Sequence, residues 1–375
     1  MLNGLLFLEY AVQVLIIGGL STLFFDFIHV AFHLCLKSTN SRLRRIGRWH
    51  LRHHQFLNTR LKINADLWSD NLIYHAIPEF LIQIIGCLFC LFFFSAGAVL
   101  STIVIETWFF LISVYRKGVD RNHSPAKPMP ACPGGLLVTP EYHALHHIFP
   151  DRYFGSICRL IDYFLGTGCQ IARKKIMLTG AGGALGGAFK LQLEKEGAFV
   201  STPCFGVDYH YDDYEKMIPL LKHTDILVLC HGSKYQFAQQ ANCDSFIAII
   251  ELYKQVKAKA LYPAEVWAVG SEIEIQPCFG REKIKDYAQS KRNFAKAARV
   301  YFHERDILYR HMIYSRFTSS MGRGFMSADF AAWASLFLIK RGFKYIPVTY
   351  TGLAFLNYFR FLLKPSCFIL NRKKN

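Results

Sequence analysis

At 375 residues, with a net charge of +17 and 52% hydrophobic residues, the chain is long enough for two domains and too apolar for an ordinary soluble one. Its basic residues flank apolar runs, as Arg42, Arg44, Arg45, Arg48 and Arg52 do, which points to anionic lipid; no nucleic-acid module accompanies the charge. The 11 cysteines are scattered, several inside apolar runs such as Cys87 and Cys90, the usage of a reducing compartment.

Leu5 to Phe25 is a nearly uncharged run broken only by Glu9, long enough to cross a bilayer. It leads straight on to Asp26, His29 and His33, so it reads as a retained span and not a cleaved signal. A basic loop from Lys37 to Lys62 carries His50, His53 and His54 in an H-x-x-H-H pattern. Ile77 to Tyr115 has Glu79 and Glu106 as its only charges and fits two spans with a turn at Ser95-Ala96-Gly97. His123 follows, and then His143, His146 and His147 repeat the pattern. Basic loops at Arg42 to Arg52 and Arg116 to Lys127 place the histidines on the cytoplasmic side of a multi-pass protein.

Spacings of three and four put side chains on one helical face, so each box aims two or three imidazoles at one spot. With 15 histidines in the chain, chance gives such an H-x-x-H-H roughly 0.02 times. Eight histidines on three helices, with His123 as a ninth, predict a site for two metal ions; imidazole suits iron and zinc. His75 enters a span with no partner spaced to join it and is set aside. The boxes resemble those of the fatty acid hydroxylase/sterol desaturase superfamily over residues 1 to 170, as does the ending Pro150-Asp151-Arg152-Tyr153-Phe154-Gly155 through Asp162-Tyr163-Phe164-Leu165-Gly166-Thr167. The resemblance implies a di-iron centre, O2 as oxidant, a lipid substrate and electrons from an external donor of the ferredoxin or cytochrome b5 type. It leaves the substrate open.

From Lys175 the pattern changes. Lys175 to Thr179 reads as a buried strand, Gly180-Ala181-Gly182-Gly183-Ala184-Leu185-Gly186 as a glycine-rich turn, and Phe189 to Glu196 as a helix, the setting a dinucleotide motif needs. Further strands at Asp225 to Leu229 and Glu265 to Val269 alternate with helices and predict a Rossmann-like, doubly wound parallel sheet. Residues 172 to 350 resemble the short-chain dehydrogenase/reductase family in Thr179, Gly180, Gly183, Gly186, Ser271 and the pair Tyr287 and Lys291. The resemblance makes Tyr287 the proton donor or acceptor, Lys291 the group that lowers its pKa, Ser271 the residue that orients the substrate oxygen, and Asn242 a supporting asparagine. The cofactor it implies is NAD(P)(H). No acid follows the second strand at Ser201-Thr202-Pro203, which leans to NADP. Two departures stand out: Leu229-Cys230-His231-Gly232 replaces the family's Asn-Asn-Ala-Gly, and Ser315-Arg316 its Pro-Gly.

Residues 351 to 375 hold an apolar, aromatic segment from Leu353 to Leu363 and end in Arg372-Lys373-Lys374; eleven residues are too few to span and read as a helix on the membrane surface. The expected whole is an all-α membrane domain with a His-box di-metal site followed by an α/β domain: a bifunctional lipid oxidoreductase. Two alternatives stay open. One is a fatty-aldehyde oxygenase of the wax- or alkane-forming type with a non-catalytic nucleotide-binding half; the other is a non-enzymatic metal-binding scaffold.

Overall fold

The computed structural model describes residues 2–120, 122–123, 135–261, 263–277, 284–320 and 322–363. They form two compact units that divide at Cys169 and Gln170. The basic tail, and residues 121 and 124–127 of the loop used to assign a membrane side, lie outside the described residues.

The first unit is helical. Helix α1 runs over Leu2–Leu36, α2 over Ser41–Phe56, α3 over Trp68–Asn71, α4 over Ile77–Phe89, α5 over Ala96–Tyr115, α6 over Pro140–Ile148 and α7 over Leu160–Leu165. Among the described residues, three stretches are long and apolar enough to cross a membrane: Gly4–Leu36, Ala65–Phe92 and Ala96–Tyr115. The turn between the last two falls slightly earlier than the sequence suggests. Ser95 caps α5 and donates to Gln13 of α1, so Ala96 and Gly97 are already helical. Glycine sets the closest helix contacts. A Cβ on Gly86 would stand 2.9 Å from Ser21 Cα, and one on Gly47 would stand 2.7 Å from the Leu36 amide nitrogen. The second approach lets α2 fold back along the end of α1, so His50 and His54 face His29 and His33. Outward side chains such as Leu15, Phe92, Phe93 and Trp108 stay exposed, as lipid-facing residues must.

The second unit is a six-stranded, all-parallel sheet in the order β2-β1-β3-β4-β5-β6. In chain order its elements are β1 (Lys175–Thr179), α8 (Ala184–Lys195), β2 (Phe199–Ser201), α9 (Ile218–Lys222), β3 (Ile226–Leu229), α10 (Ser245–Lys257), β4 (Ala264–Val269), α11 (Lys285–His303), β5 (Ile307–Tyr314), α12 (Ala328–Lys340), β6 (Tyr345–Val348) and α13 (Leu353–Leu362). Leu227, Val266, Phe246, Ile250, Phe294 and Tyr309 are wholly buried in its core. Strand order reverses between β1 and β3, so the crevice at their carboxyl ends is the place where such sheets take ligands. Helix α8 starts at Ala184, earlier than its sequence suggests, because Gly186 and Gly187 weaken the local helical signal yet sit inside the helix.

Candidate functional site

In the first unit, two groups of histidines each bring one ring nitrogen apiece within 4.8 Å of one another: His29, His33, His50, His54 and His146 in one, His53, His123, His143 and His147 in the other. Each group mixes elements far apart in sequence. The boxes on α1, α2 and α6 supply eight of these rings and the loop after α5 supplies His123.

Hydrogen bonds on the outer nitrogens fix several tautomers. His146 Nδ1 donates to the Arg152 carbonyl at 2.8 Å and His147 Nδ1 to the Leu57 carbonyl at 2.9 Å. A carbonyl only accepts, so the Nε2 atoms of both rings are lone-pair ends, and both are buried without a hydrogen-bond partner. His53 Nδ1 donates to Asn71 Oδ1 at 2.9 Å, and His123 Nδ1 to Asp120 at 2.9 Å. Their Nε2 atoms then face each other at 3.3 Å, and His143 Nε2 lies 3.1 Å from that of His123. In the other group His50 Nε2 lies 2.9 Å from His29 Nε2 and 3.2 Å from His54 Nε2. Nitrogens bound about 2.1 Å from one ion lie about 3.0–3.4 Å apart, so these spacings are those of ligand edges. A cation in each group would satisfy lone pairs that otherwise oppose one another, so the residues present fit a metal ion.

Burial pushes the pKa of His50, His53, His54, His143 and His147 well down, and neighbouring imidazoles add to it; His146 falls to about 4. These rings are neutral near pH 7, the form that ligates. At His123 burial opposes the charged form, yet the Asp120 carboxylate outweighs it and raises the pKa.

His75, set aside in the sequence, belongs beside this cluster. It sits in a π-helical turn at Leu72–Ala76, stacks on His53 at 3.6 Å between ring centroids, and reaches Glu79 Oε2 at 3.3 Å. The π turn rotates it inward. The legible signal was Glu79 four residues on, a charge inside an apolar run. Sequence reasoning also missed Asn71 and Asp120, which orient ligand rings. Asp162 explains the motif that ends this unit: its carboxylate accepts from the Phe154 and Gly155 amides, the Tyr142 hydroxyl and the Thr167 hydroxyl, pinning α6.

In the second unit, Gly180 has φ +73°, and a Cβ there would stand 2.6 Å from the His231 backbone. A Cβ on Gly186 would collide with the Gly180 carbonyl oxygen. Gly183 is the N-cap of α8 and offers no side chain to its first amides, which are left for an anionic group. This tight, uncapped turn fits a pyrophosphate. Thr179 Oγ1 donates to the Val228 carbonyl and meets His231 Nδ1 at 2.7 Å, tying β1 to β3 where the family's Asn-Asn-Ala-Gly is replaced.

Tyr287 and Lys291 lie one turn apart on α11, and the Tyr287 hydroxyl bonds to the Ser271 side chain at the end of β4. Lys291 is buried and donates from Nζ to the Val269 carbonyl at 2.9 Å. Burial lowers its pKa to about 8, although Glu274 pulls the other way. The expected depression of Tyr287 by Lys291 is not what the structure has: burial raises the phenol's pKa, the Ser271 bond offsets part of that, and the Glu274 carboxylate adds to it. Asn242 lies in a π-helical turn before α10 and donates from Nδ2 to the Ser233 and Ala238 carbonyls and to Ser290, next to Lys291. Glu274, unnoticed in the sequence, accepts from the Ser271 amide at 3.0 Å and completes a capping box with it; Ser-x-x-Glu was legible. Behind it His311 Nε2 lies 3.3 Å from Glu274 Oε2, and Tyr309 bonds to His311 Nδ1 at 2.9 Å.

No family model matches the chain. It is 26% identical over 385 residues to monoglucosyldiacylglycerol epimerase of Synechocystis sp., a match that takes in 90% of this chain and 92% of that one, hence both units. Among solved structures, a short-chain dehydrogenase from Burkholderia cenocepacia in complex with NADP is 14% identical, covering 52% of this chain and all of its own, with a TM-score of 0.42. An RhlG/NADP complex from Pseudomonas aeruginosa is 17% identical, covering 47% of this chain and 91% of its own, with a TM-score of 0.37.

Proposed function

We propose that this chain is a membrane enzyme of lipid metabolism whose nucleotide-binding half interconverts a hydroxyl and a carbonyl on the sugar headgroup of a lipid. The observation that carries this reading is the Ser271–Tyr287 hydrogen bond beside buried Lys291, at the carboxyl ends of the strands and in the same unit as the glycine-rich turn. A nicotinamide dinucleotide held by Thr179, Gly180, Gly183 and Gly186 would supply two-electron oxidation and reduction; the missing acid after β2 favours NADP. Ser271 orients the substrate oxygen. Tyr287 takes the hydroxyl proton as C=O forms and returns it when the carbonyl is reduced, with Ser271 as the group that favours its phenolate, while Lys291, held by the Val269 carbonyl, would bind the cofactor's ribose. Oxidation followed by reduction from the opposite face inverts a carbinol carbon, and the epimerase that aligns with both halves supports a sugar as the target.

The nine clustered histidines favour a second reading of the other half: a pair of iron ions that would activate O2 for hydroxylation or desaturation of the acyl or sterol part of a lipid, with electrons from an external ferredoxin or cytochrome b5. The two readings separate in one experiment. Full-length protein in bilayer discs is given monoglucosyldiacylglycerol, NAD(P) and a reduced ferredoxin under argon and under air. Epimerised headgroup in both atmospheres is the expected result. Unchanged headgroup with an oxidised chain, in air alone, supports the second reading and overturns the first.

A further inference from the structure

We propose that α13 is a bilayer contact of the nucleotide-binding unit, its outer face seated on an anionic lipid surface. The inference does not depend on the chemistry proposed above. Helix α13 is apolar on two faces. Ala354, Asn357 and Phe361 are buried in the unit, where Phe361 packs on Phe302 and its carbonyl accepts from His303. On the other side Phe355, Leu356, Phe359, Leu362 and Leu363 are 55%, 61%, 63%, 50% and 67% exposed. Their spacing makes one continuous stripe, and a helix apolar all round needs a second apolar neighbour.

Two observations identify that neighbour as lipid. Among its described residues the same chain carries three helices long and apolar enough to cross a membrane, so this unit works at a bilayer. After Asp329 the sequence has no acidic residue, while Lys340, Arg341, Lys344, Arg360, Lys364, Arg372, Lys373 and Lys374 follow. An aromatic and aliphatic stripe on a helix that carries Arg360, in a stretch of sequence rich in basic residues and free of acids, is the composition of a helix lying in an anionic interface. The seat also bears on the site. Asn357, on the inner face of α13, donates to Glu274 Oε2 at 3.3 Å, and Glu274 caps the Ser271 turn. One helix thus links the lipid surface to the loop that carries Ser271.

The test places a photo-crosslinking residue on the stripe of the full-length protein, Phe359→p-benzoylphenylalanine, with Phe355→p-benzoylphenylalanine as a second variant, in phosphatidylglycerol vesicles. Buried Cys243 must resist thiol reagents, which certifies folding. Irradiation should give lipid adducts at both positions. Their yield should fall by about fivefold in phosphatidylcholine, the scale for one basic side chain at an anionic surface. Adducts to protein, whether a second copy or another chain, or no adduct at either position, overturn the proposal; equal yields in both lipids overturn the anionic assignment.

Discussion

Replacing Lys291 with Met should make the second unit more stable while ending its carbonyl chemistry. Burial lowers the Lys291 pKa from 10.5 to about 8. At about 1.36 kcal/mol per pKa unit, the folded unit below pH 8 bears roughly 3 kcal/mol for keeping that ammonium charged inside. Lys291→Met removes this term and loses the bond to the Val269 carbonyl, worth about 1 kcal/mol. The net gain at pH 7 is about 2 kcal/mol. The sign with pH follows from proton counts. Between pH 8 and 10.5 the unfolded chain holds the lysine proton and the folded one does not, so wild-type stability rises with pH across that window; the variant should show no such rise. Thiol labelling of Cys243, which is buried and free, reads the opening of this unit in the intact protein when rates are divided by those of denatured chain at each pH. Labelling should be about 30-fold slower in the variant at pH 7, the factor for 2 kcal/mol. Equal or faster labelling, or flat wild-type protection from pH 8 to 10.5, refutes the assignment of a strained buried cation.

His147→Ala should release one of two metal ions, and Asn71→Ala, which frees the His53 ring, should weaken metal affinity by about 10- to 100-fold; elemental analysis after dialysis checks both. Gly186→Ala drives a Cβ into the Gly180 carbonyl at a cost of about 1–3 kcal/mol, so NADP binding by fluorescence titration should weaken by roughly 5- to 150-fold with metal content unchanged. Asp162→Ala strands two buried amides and two hydroxyls and should destabilise the first unit by on the order of 4 kcal/mol, seen as a lower Tm and lost metal.

Much of this was legible because periodic spacing is local information. The His boxes, the glycine-rich turn and the Tyr287–Lys291 pair each lie within one turn or one strand-turn-helix unit, and β1 falls where its sequence suggests. What escaped depends on tertiary placement. His75 needs the inserted residue of a π turn to face His53, and Asn71 and Asp120 acquire their roles only once α2, α3 and the loop after α5 meet. Division of the histidines into groups of five and four cannot be counted from boxes, because His53 and His54 are adjacent on α2 yet serve different groups. Helix α13 was legible as apolar, but the sequence does not show which face Phe361 would take into the core. Tyr287 shows the limit of motif logic: the groups that shift its pKa are burial, Ser271 and Glu274, and Glu274 is outside the motif.

The most direct measurement follows an isotope from lipid to cofactor. Monoglucosyldiacylglycerol with deuterium on its headgroup ring carbons is mixed with an excess of the full-length protein in bilayer discs and NADP+, the first turnover is quenched before the hydride returns to the sugar, and the reduced nicotinamide is analysed by mass spectrometry. The account predicts deuterium on the cofactor with wild-type protein and none with Tyr287→Phe. Cofactor that binds normally yet never acquires the label, from any ring position, would contradict it.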